Sequence, residues 1–295
     1  MNDRVAVVTG GASGIGRAGV LRFLDAGYRV VFGDLNRDNA QRVVEEVGDA
    51  QRLRFAPTDV AEEDDVAALV AEATGAFGRI DVMFNNAGVG GAFGPITEIA
   101  ADDWDRTFAV LVRSVFLGTK HAARAMIDQG DGGSIVNTAS VAGLSGGGGP
   151  QAYSAAKAAV INLTLSTAVE LAVHRIRVNA ICPGLINTPL AIRHDRDADR
   201  VRELLSTIQP WPELGRPDDI AALVLWLAGP DSVFVTGEAI RVDGGVTAAG
   251  PGLVSMTDPN GAFARSAGFA DGTTGRPPVK RRLRPRPPAS PRDER

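Results

Sequence analysis

The chain has 295 residues, of which 44% are apolar, and it carries one cysteine and a net charge of −4. This length suffices to bury a large core, and a single parallel α/β domain commonly uses most of it. One cysteine excludes an intrachain disulfide, and three scattered histidines lack metal-ligand spacing, so no metal site is predicted. Without a signal-peptide layout or an apolar run near ~20 residues, a cytoplasmic protein with no membrane partner is expected.

The charge is distributed unevenly along the chain. Residues 251–295 have a net charge of +5 and eight of the seventeen prolines, whereas the preceding 250 residues have a net charge of −9. A segment of this composition buries too little apolar surface to fold by itself. The sequence therefore predicts one domain over residues 1–250 and a basic, proline-rich disordered tail over 251–295. The tail could attract phosphate, but the acidic domain opposes a nucleic-acid partner.

The first predicted strand, residues 5–9, leads into a glycine-rich turn. Glycines at 10, 14 and 16 precede a helical pattern over residues 17–26. Glycine lets a phosphate approach backbone amides at a helix N-terminus, and it allows the helix to pack tightly on the strand. The second predicted strand ends on Asp34, about 20 residues after the glycines, where a carboxylate accepts hydrogen bonds from adenosine ribose hydroxyls. This order favours a nucleotide site over a purely structural turn.

The rest of the chain alternates between predicted strands and helices. Such alternation predicts an α/β fold with a Rossmann-type doubly wound parallel sheet. The further predicted helices cover residues 37–47, 62 onward, 104–128 and 218–227, together with a helix that carries Tyr153 and Lys157 and extends to about residue 173. The further predicted strands cover 52–55, 80–84, 132–139, 177–181 and 239–242.

Candidate acid-base groups lie in the segment from Ser140 to Lys157. Tyr153 and Lys157 are four residues apart in an alanine-rich helical run, so both side chains should emerge on one face. A cation about 4 Å from the phenol would favour the phenolate by roughly 4 kcal/mol, which would lower the pKa from about 10 to about 7. A return of the chain through the Gly146–Gly149 loop would bring the Ser140 hydroxyl to face Tyr153. On this segment alone, a Ser-Ala-rich helix with an exposed lysine is an equal alternative.

Together these motifs resemble the short-chain dehydrogenase/reductase family of the TGxxxGxG and YxxxK type, over about residues 4–247. The matching segments are TGGASGIG at 9–16, Asp59 within TDV, NNAG at 85–88, Ser140 thirteen residues before Tyr153, YSAAK at 153–157, and VNAICPGLINTP at 178–189. The resemblance implies Ser140, Tyr153 and Lys157 as catalytic residues. The implied cofactor-binding residues are Gly10, Ser13, Gly14, Ile15, Gly16, Asp34, Asp59, Val60, Asn86, Gly88, Tyr153, Lys157, Pro183, Gly184, Ile186 and Thr188.

These residues predict an NAD-dependent oxidoreductase that interconverts a hydrophobic, cyclic secondary alcohol and its ketone by hydride transfer. Asp34 favours NAD because it would repel a 2′-phosphate, although Arg37 is near enough in sequence to weaken that preference. Family resemblance implies a homodimer or homotetramer. An apolar substrate pocket is predicted, with a mobile lid or a structural helix-turn over residues 190–217. The predicted pocket residues are Phe93, Val141, Leu144, Leu190 and Trp211.

One position departs from the family pattern. The family usually places an asparagine seven residues after the tryptophan that is Trp104 here, where it holds a water that links the lysine to solvent. This chain has Leu111, which can neither donate nor accept a hydrogen bond. We therefore predict lowered turnover, and the alternative function is a catalytically weak or silent NAD-binding sensor.

Overall fold

A computed structural model describes residues 3–191, 203, 208–249, 265–269 and 279–283. Seven parallel strands form one sheet in the order β3-β2-β1-β4-β5-β6-β7, and helices cover both of its faces. The strands are β1 Val5–Thr9, β2 Arg29–Asp34, β3 Leu53–Pro57, β4 Val82–Asn85, β5 Gly133–Thr138, β6 Ile176–Pro183 and β7 Ala239–Val242. The helices are α1 Gly14–Asp25, α2 Arg37–Val47, α3 Glu63–Phe77, α4 Ala101–Phe108, α5 Ser114–Gln129, α6 Gln151–Leu171 and α7 Pro217–Ala228. The predicted doubly wound fold is confirmed.

Local sequence explains where these elements begin and end. Strand β1 is a run of β-branched and small apolar residues, and every one of its residues is buried, as expected of a central parallel strand. Helix α2 begins after Asn36, whose side chain accepts a hydrogen bond from the Asn39 amide at 3.0 Å, and it ends at Gly48 with φ of 62°.

Two apolar layers hold the helices to the sheet. On one face, Phe23 of α1, Val224 of α7 and Phe32 of β2 belong to one buried cluster. On the other face, Met126 of α5 and Leu69 of α3 belong to a second buried cluster. Because both faces are covered, the edge at the carboxyl ends of the strands is where the sheet can present residues to a ligand.

Buried amides join the middle of the sheet to helix α6. The Asn85 Nδ2 group donates to Asn137 Oδ1 at 2.9 Å, and Asn137 Nδ2 donates to Thr164 Oγ1 at 2.9 Å. Asn85 and Asn137 are register partners on β4 and β5. This network fixes the strand ends that lead into the site, because each buried amide needs its partner.

The predicted helix from Trp104 to about residue 128 is interrupted. A turn of π-helix, Ala109–Arg113, separates α4 from α5. On either side of it, the Thr107 hydroxyl donates to the Asp103 carbonyl at 2.7 Å and the Ser114 hydroxyl donates to the Val110 carbonyl. Such back-bonding from Ser and Thr bends helices, and single π turns occur often at functional sites.

Part of the predicted tail forms a paired structure that the sequence did not predict. Strand β8, Ser266–Phe269, pairs antiparallel with β9, Val279–Arg282. The pairing is a main-chain ladder, which needs no apolar periodicity in the sequence. Apart from Arg265 and Leu283, which flank these strands, the rest of the tail lies outside the described residues, so the division into a domain and a tail stays a prediction.

By length and composition alone, residues 151–174 would suffice to cross a membrane. In the structure this helical stretch belongs to the core. Val160 and Thr164 of α6 are fully buried, and Thr164 completes the amide network described above.

Candidate active site

A cavity of about 1200 Å³ lies at the carboxyl ends of the strands. It includes the point between β1 and β4 where the strand order reverses, which is the usual ligand crevice of doubly wound sheets. The structure brings all but one of the sequence-predicted site residues into its lining. These are Gly10, Ser13, Gly14, Ile15, Asp34, Asp59, Val60, Asn86, Gly88, Ser140, Tyr153, Lys157, Pro183, Gly184, Ile186 and Thr188.

Gly16 is the exception, and its surroundings explain why it is a glycine. A Cβ atom there would lie 2.0 Å from the Gly10 carbonyl oxygen and 2.6 Å from Asn86 Nδ2. Gly16 therefore lets helix α1 pack closely against the end of β1, and it does not line the cavity. The predicted contact of Gly16 with a cofactor stays a prediction.

The N-terminus of helix α1 faces the cavity. Gly10 and Gly14 have positive φ angles of 69° and 51°, which other residues rarely adopt. The Ser13 side chain at the N-cap forms no capping hydrogen bond. The first amides of the helix are thus available to an anion, and a bare glycine turn in front of them leaves room for a phosphate.

Asp34 holds the glycine turn to the end of β2. Its Oδ2 atom accepts from the Ala12 amide at 2.9 Å, and its Oδ1 atom accepts from the Asn36 amide at 2.8 Å. The next residue, Leu35, lines the cavity and is 72% exposed. Arg37 is exposed and is not part of the cavity lining, whose described lysine and arginine residues are Arg106, Arg113 and Lys157.

The segment after β3 forms the side of the cavity near Val60, which is buried and packs with Val110. Asp59 Oδ1 accepts from the Ala61 amide at 3.0 Å, while Glu62 occupies the N-cap position of α3. Asp59 thus shapes the turn before the helix and does not cap the helix itself.

Thr9 is a site residue that sequence reasoning missed. Its hydroxyl oxygen accepts from the amides of Asn86 at 2.9 Å and Ala87 at 3.1 Å. Asn86 Nδ2 in turn donates to the Thr9 carbonyl at 3.2 Å. These bonds join the ends of β1 and β4 beside Gly88. No local sequence signal reports them, because the residues are far apart in the chain.

Ser140, Tyr153 and Lys157 meet at the end of β5. The Ser140 Oγ atom accepts from the Ala142 amide at 3.1 Å, and Ser140 is also hydrogen-bonded to Tyr153. The buried Lys157 Nζ atom donates to the Thr138 carbonyl at 2.6 Å and lies 5.7 Å from the centroid of the Tyr153 ring. The alternative of an exposed lysine is therefore wrong.

The protonation of these groups differs from the sequence-based expectation. Burial raises the pKa of Tyr153 above its usual value, and the hydrogen bond to Ser140 opposes this rise. Burial also lowers the pKa of Lys157 to about 8. The expected tyrosine pKa near 7 is thus wrong in direction for this structure, because the effect of burial outweighs that of the hydrogen bond to Ser140.

The segment after β6 closes the cavity opposite the glycine turn. A Cβ atom on Gly14 would lie 3.4 Å from Thr188 Cγ2, so the two turns face each other. Ile186 is fixed by a parallel bridge to Gly215. Cys182, just before this segment, is fully buried, and burial raises the pKa of its thiol to about 11, as expected of a structural cysteine.

The predicted substrate pocket is correct in part. Phe93, Val141 and Leu190 line the cavity, whereas Leu144 and Trp211 do not. Trp211 is held away because its amide donates to the Gly244 carbonyl at 2.9 Å. Residues 192–202 and 204–207, which include most of the predicted lid, lie outside the described residues.

The features on opposite walls of the cavity fit a dinucleotide. A bare helix N-terminus, an acid at the end of β2 and a Ser-Tyr-Lys group occur in one continuous space. Comparison with known proteins agrees with this geometry: a family model described as Enoyl-(Acyl carrier protein) reductase, within the short-chain dehydrogenases/reductases, matches residues 10–247.

The chain belongs to the short-chain dehydrogenase/reductase family. It is 41% identical over 248 residues to cis-4-hydroxycyclohexanecarboxylate dehydrogenase of Sinomonas cyclohexanicum, covering 83% of this chain and 97% of that protein. It is 38% identical over 247 residues to 3beta-hydroxysteroid dehydrogenase 2 of Eggerthella lenta, covering 83% and 95%. The crystal structure of levodione reductase superimposes with a TM-score of 0.78 at 36% identity, covering 84% and 98%. As a short-chain dehydrogenase/reductase, the chain is an oxidoreductase that acts on CH–OH groups and uses a nicotinamide cofactor.

Proposed function

We propose that the protein is an NAD-dependent dehydrogenase that interconverts a hydrophobic, cyclic secondary alcohol and its ketone. The observation that carries this proposal is the meeting of Ser140, Tyr153 and Lys157 on a cavity whose opposite wall is an uncapped helix N-terminus. Nicotinamide, when bound, supplies the hydride acceptor, because no side chain carries a two-electron group. The Ser-Tyr-Lys group then needs only to handle the proton.

In this account Tyr153 takes the hydroxyl proton during oxidation and returns it during reduction. The Ser140 oxygen accepts from the Ala142 amide, and its O–H, which is hydrogen-bonded to Tyr153 in the structure, is the group that donates to the substrate oxygen when the substrate binds. Lys157, held by the Thr138 carbonyl, orients towards ribose hydroxyls and stabilises the phenolate when it forms. As the proton leaves the alcohol oxygen and the hydride leaves the carbon, the C–O bond becomes a carbonyl.

NAD is the proposed cofactor because of Asp34. Its carboxylate lies at the cavity wall and is kept in place by two backbone amides. A 2′-phosphate there would meet like charge, and among the described lining residues around the glycine turn none is a lysine or arginine. The proposed contacts of the remaining cofactor-binding residues follow the family resemblance, with Asp59 and Val60 at the adenine, Asn86 and Gly88 at the ribose, and Pro183, Gly184, Ile186 and Thr188 at the nicotinamide.

A cyclic, apolar substrate is supported by the cavity lining near Tyr153, where Val141, Leu190 and Phe93 contribute apolar surface. Named relatives act on cyclic alcohols, among them the hydroxycyclohexanecarboxylate and hydroxysteroid dehydrogenases. An apolar pocket of this kind excludes water from the reacting carbon.

A second candidate function, a catalytically weak or silent NAD-binding sensor, is favoured by Leu111. This leucine is fully buried in the π turn, and its Cδ2 atom would lie 3.3 Å from a Cβ on Gly88. An apolar group therefore stands where the family usually has an amide, and proton exchange at Lys157 must use other groups.

We also propose a cytoplasmic homodimer or homotetramer. A second cavity of about 380 Å³ on α5 and α6 is lined by Phe116, Ile127 and Leu163, and Phe116 is 48% exposed. An apolar surface of this kind is suited to contact with another copy.

The test follows absorbance of the reduced nicotinamide while the full chain meets cyclic, steroid-like and linear secondary alcohols with NAD or NADP. We expect turnover of cyclic alcohols with NAD and at least tenfold weaker turnover with NADP, a difference of about 1.4 kcal/mol. If the protein oxidises none of the alcohols but binds NAD in calorimetry, the result would favour the NAD-binding sensor over the dehydrogenase. Equal use of NADP would refute the cofactor assignment.

A further inference from the structure

Two arginines, Arg106 and Arg113, line the cavity without a role in the reaction proposed above. Arg106 lies on α4 and shares the cavity lining with Phe93 and Tyr153. Its side chain is exposed, and within the described part of the chain the guanidinium forms no ion pair or hydrogen bond with another side chain. The domain around it has a net charge of −9. Among the described residues, Arg106 is therefore an unpaired cation of an acidic domain, and it lines the cavity together with apolar residues such as Phe93.

The neighbours of Arg106 place it at the mouth of the cavity. The adjacent Thr107 hydroxyl accepts from the Ala92 amide at 2.9 Å, which anchors α4 to the loop before Phe93. Five residues further on, Leu111 is fully buried opposite Gly88. Within five residues the chain thus passes from an exposed arginine at the rim to a fully buried leucine.

The other lining arginine lies at a different part of the cavity. Arg113 follows Val110, which packs against Val60 at the end proposed for adenine. Asp103 lies one helical turn before Arg106 and also lines the rim, but the two side chains form no ion pair within 4.0 Å. Arg106 lies on the helix that Thr107 hydrogen-bonds to the loop carrying Phe93.

We propose that Arg106 binds a carboxylate on the substrate, so that the substrate is a cyclic secondary alcohol carrying an anionic group away from its hydroxyl. The planar guanidinium matches a carboxylate with two parallel hydrogen bonds, which an ammonium would not reproduce. With the hydroxyl at Ser140 and Tyr153 and the carboxylate at the rim, the two ends of the ring compound are fixed. This inference rests on the proposed dehydrogenase activity and narrows its substrate class.

The experiment compares a cyclohexanol that carries a ring carboxylate with its carboxamide counterpart. We expect kcat/KM to be at least tenfold higher for the carboxylate at low salt, with the difference mainly in KM. Arg106→Gln should remove that preference and leave kcat for the carboxamide unchanged, while Arg106→Lys should restore it in part. Arg22→Gln, at an exposed arginine outside the cavity lining, is the matched control and should leave kcat/KM for both substrates unchanged.

A binding measurement separates failure of this inference from failure of the proposed reaction. Cyclohexanecarboxylate and cyclohexanecarboxamide have no hydroxyl to oxidise, so calorimetry with NAD present needs no turnover. Tenfold tighter binding of the carboxylate, lost in Arg106→Gln, supports the site even if no alcohol is oxidised. Equal affinity for the two compounds, or a variant that changes only NAD affinity or oligomeric state, overturns it.

Discussion

Replacing the buried lysine by methionine should stabilise the fold at neutral pH while it abolishes the proposed chemistry. Lys157 is 3% exposed, and burial lowers its pKa from 10.5 to about 8. Below pH 8 the folded protein keeps a charged ammonium away from water, which opposes folding. In Lys157→Met that opposing contribution is absent at every pH.

The pKa shift sets the magnitude. Between pH 8 and 10.5 the unfolded chain still binds a proton that folded Lys157 has released, so stability of the parent protein rises with pH in this window. At about 1.36 kcal/mol per pH unit, the unfolding free energy of the parent protein rises by about 3 kcal/mol across this window. The difference in unfolding free energy between Lys157→Met and the parent should therefore shift by about 3 kcal/mol, in favour of the parent, from pH 7 to pH 10.5.

Urea unfolding of both proteins, followed at several pH values from 7 to 10.5, measures this difference directly. Lys120→Met is the matched control, because Lys120 is partly exposed and paired with Glu63. The difference in unfolding free energy between Lys120→Met and the parent should not show this shift of about 3 kcal/mol between pH 7 and pH 10.5. Parallel stability curves for Lys157→Met and the parent would refute the claim that burial depresses the lysine pKa.

Three further changes test separate parts of the account. Gly16→Ala places a Cβ 2.0 Å from the Gly10 oxygen, so we expect the unfolding free energy to fall by roughly 1–3 kcal/mol. Gly75→Ala, where the added Cβ meets open space, is the control and should not destabilise the protein. Leu111→Asn should raise kcat, since proton relays contribute about 10² to 10⁴-fold, with NAD affinity unchanged; an unaltered kcat would count against a role for this position. Asp34→Ser should bring the kcat/KM values for NAD and NADP within about tenfold of each other, and a preserved preference would point to another determinant.

Much of the fold was predictable because local patterns determine it. The apolar run of β1, the glycines after it and Asp34 at the end of β2 each have a signature within a few residues. Their meeting at one edge follows from a parallel sheet, where all carboxyl ends lie on the same side. For this reason the structure brings Gly10 and Thr188 to one cavity although they are far apart in the chain.

The remaining features depend on contacts that no local pattern reports. The hydrogen bonds of Thr9 to the Asn86 and Ala87 amides link two strands through the tertiary fold. The burial of Tyr153, which raises its pKa, and the hydrogen bond of Lys157 to the Thr138 carbonyl both arise from the tertiary fold. Sequence spacing predicted that the two side chains share one helix face, but it could not report how deeply they are buried.

The variant Tyr153→Phe, which removes one hydroxyl and keeps the ring, tests whether Tyr153 is the group that moves the proton. Oxidation of a cyclic secondary alcohol is followed at the reduced-nicotinamide absorbance, and NAD affinity is measured by calorimetry on the same preparation. The account predicts at least a 100-fold loss of kcat with NAD affinity changed by less than about threefold, as expected for loss of an acid-base group. Turnover retained in the variant would contradict the assignment of Tyr153 as the group that moves the proton.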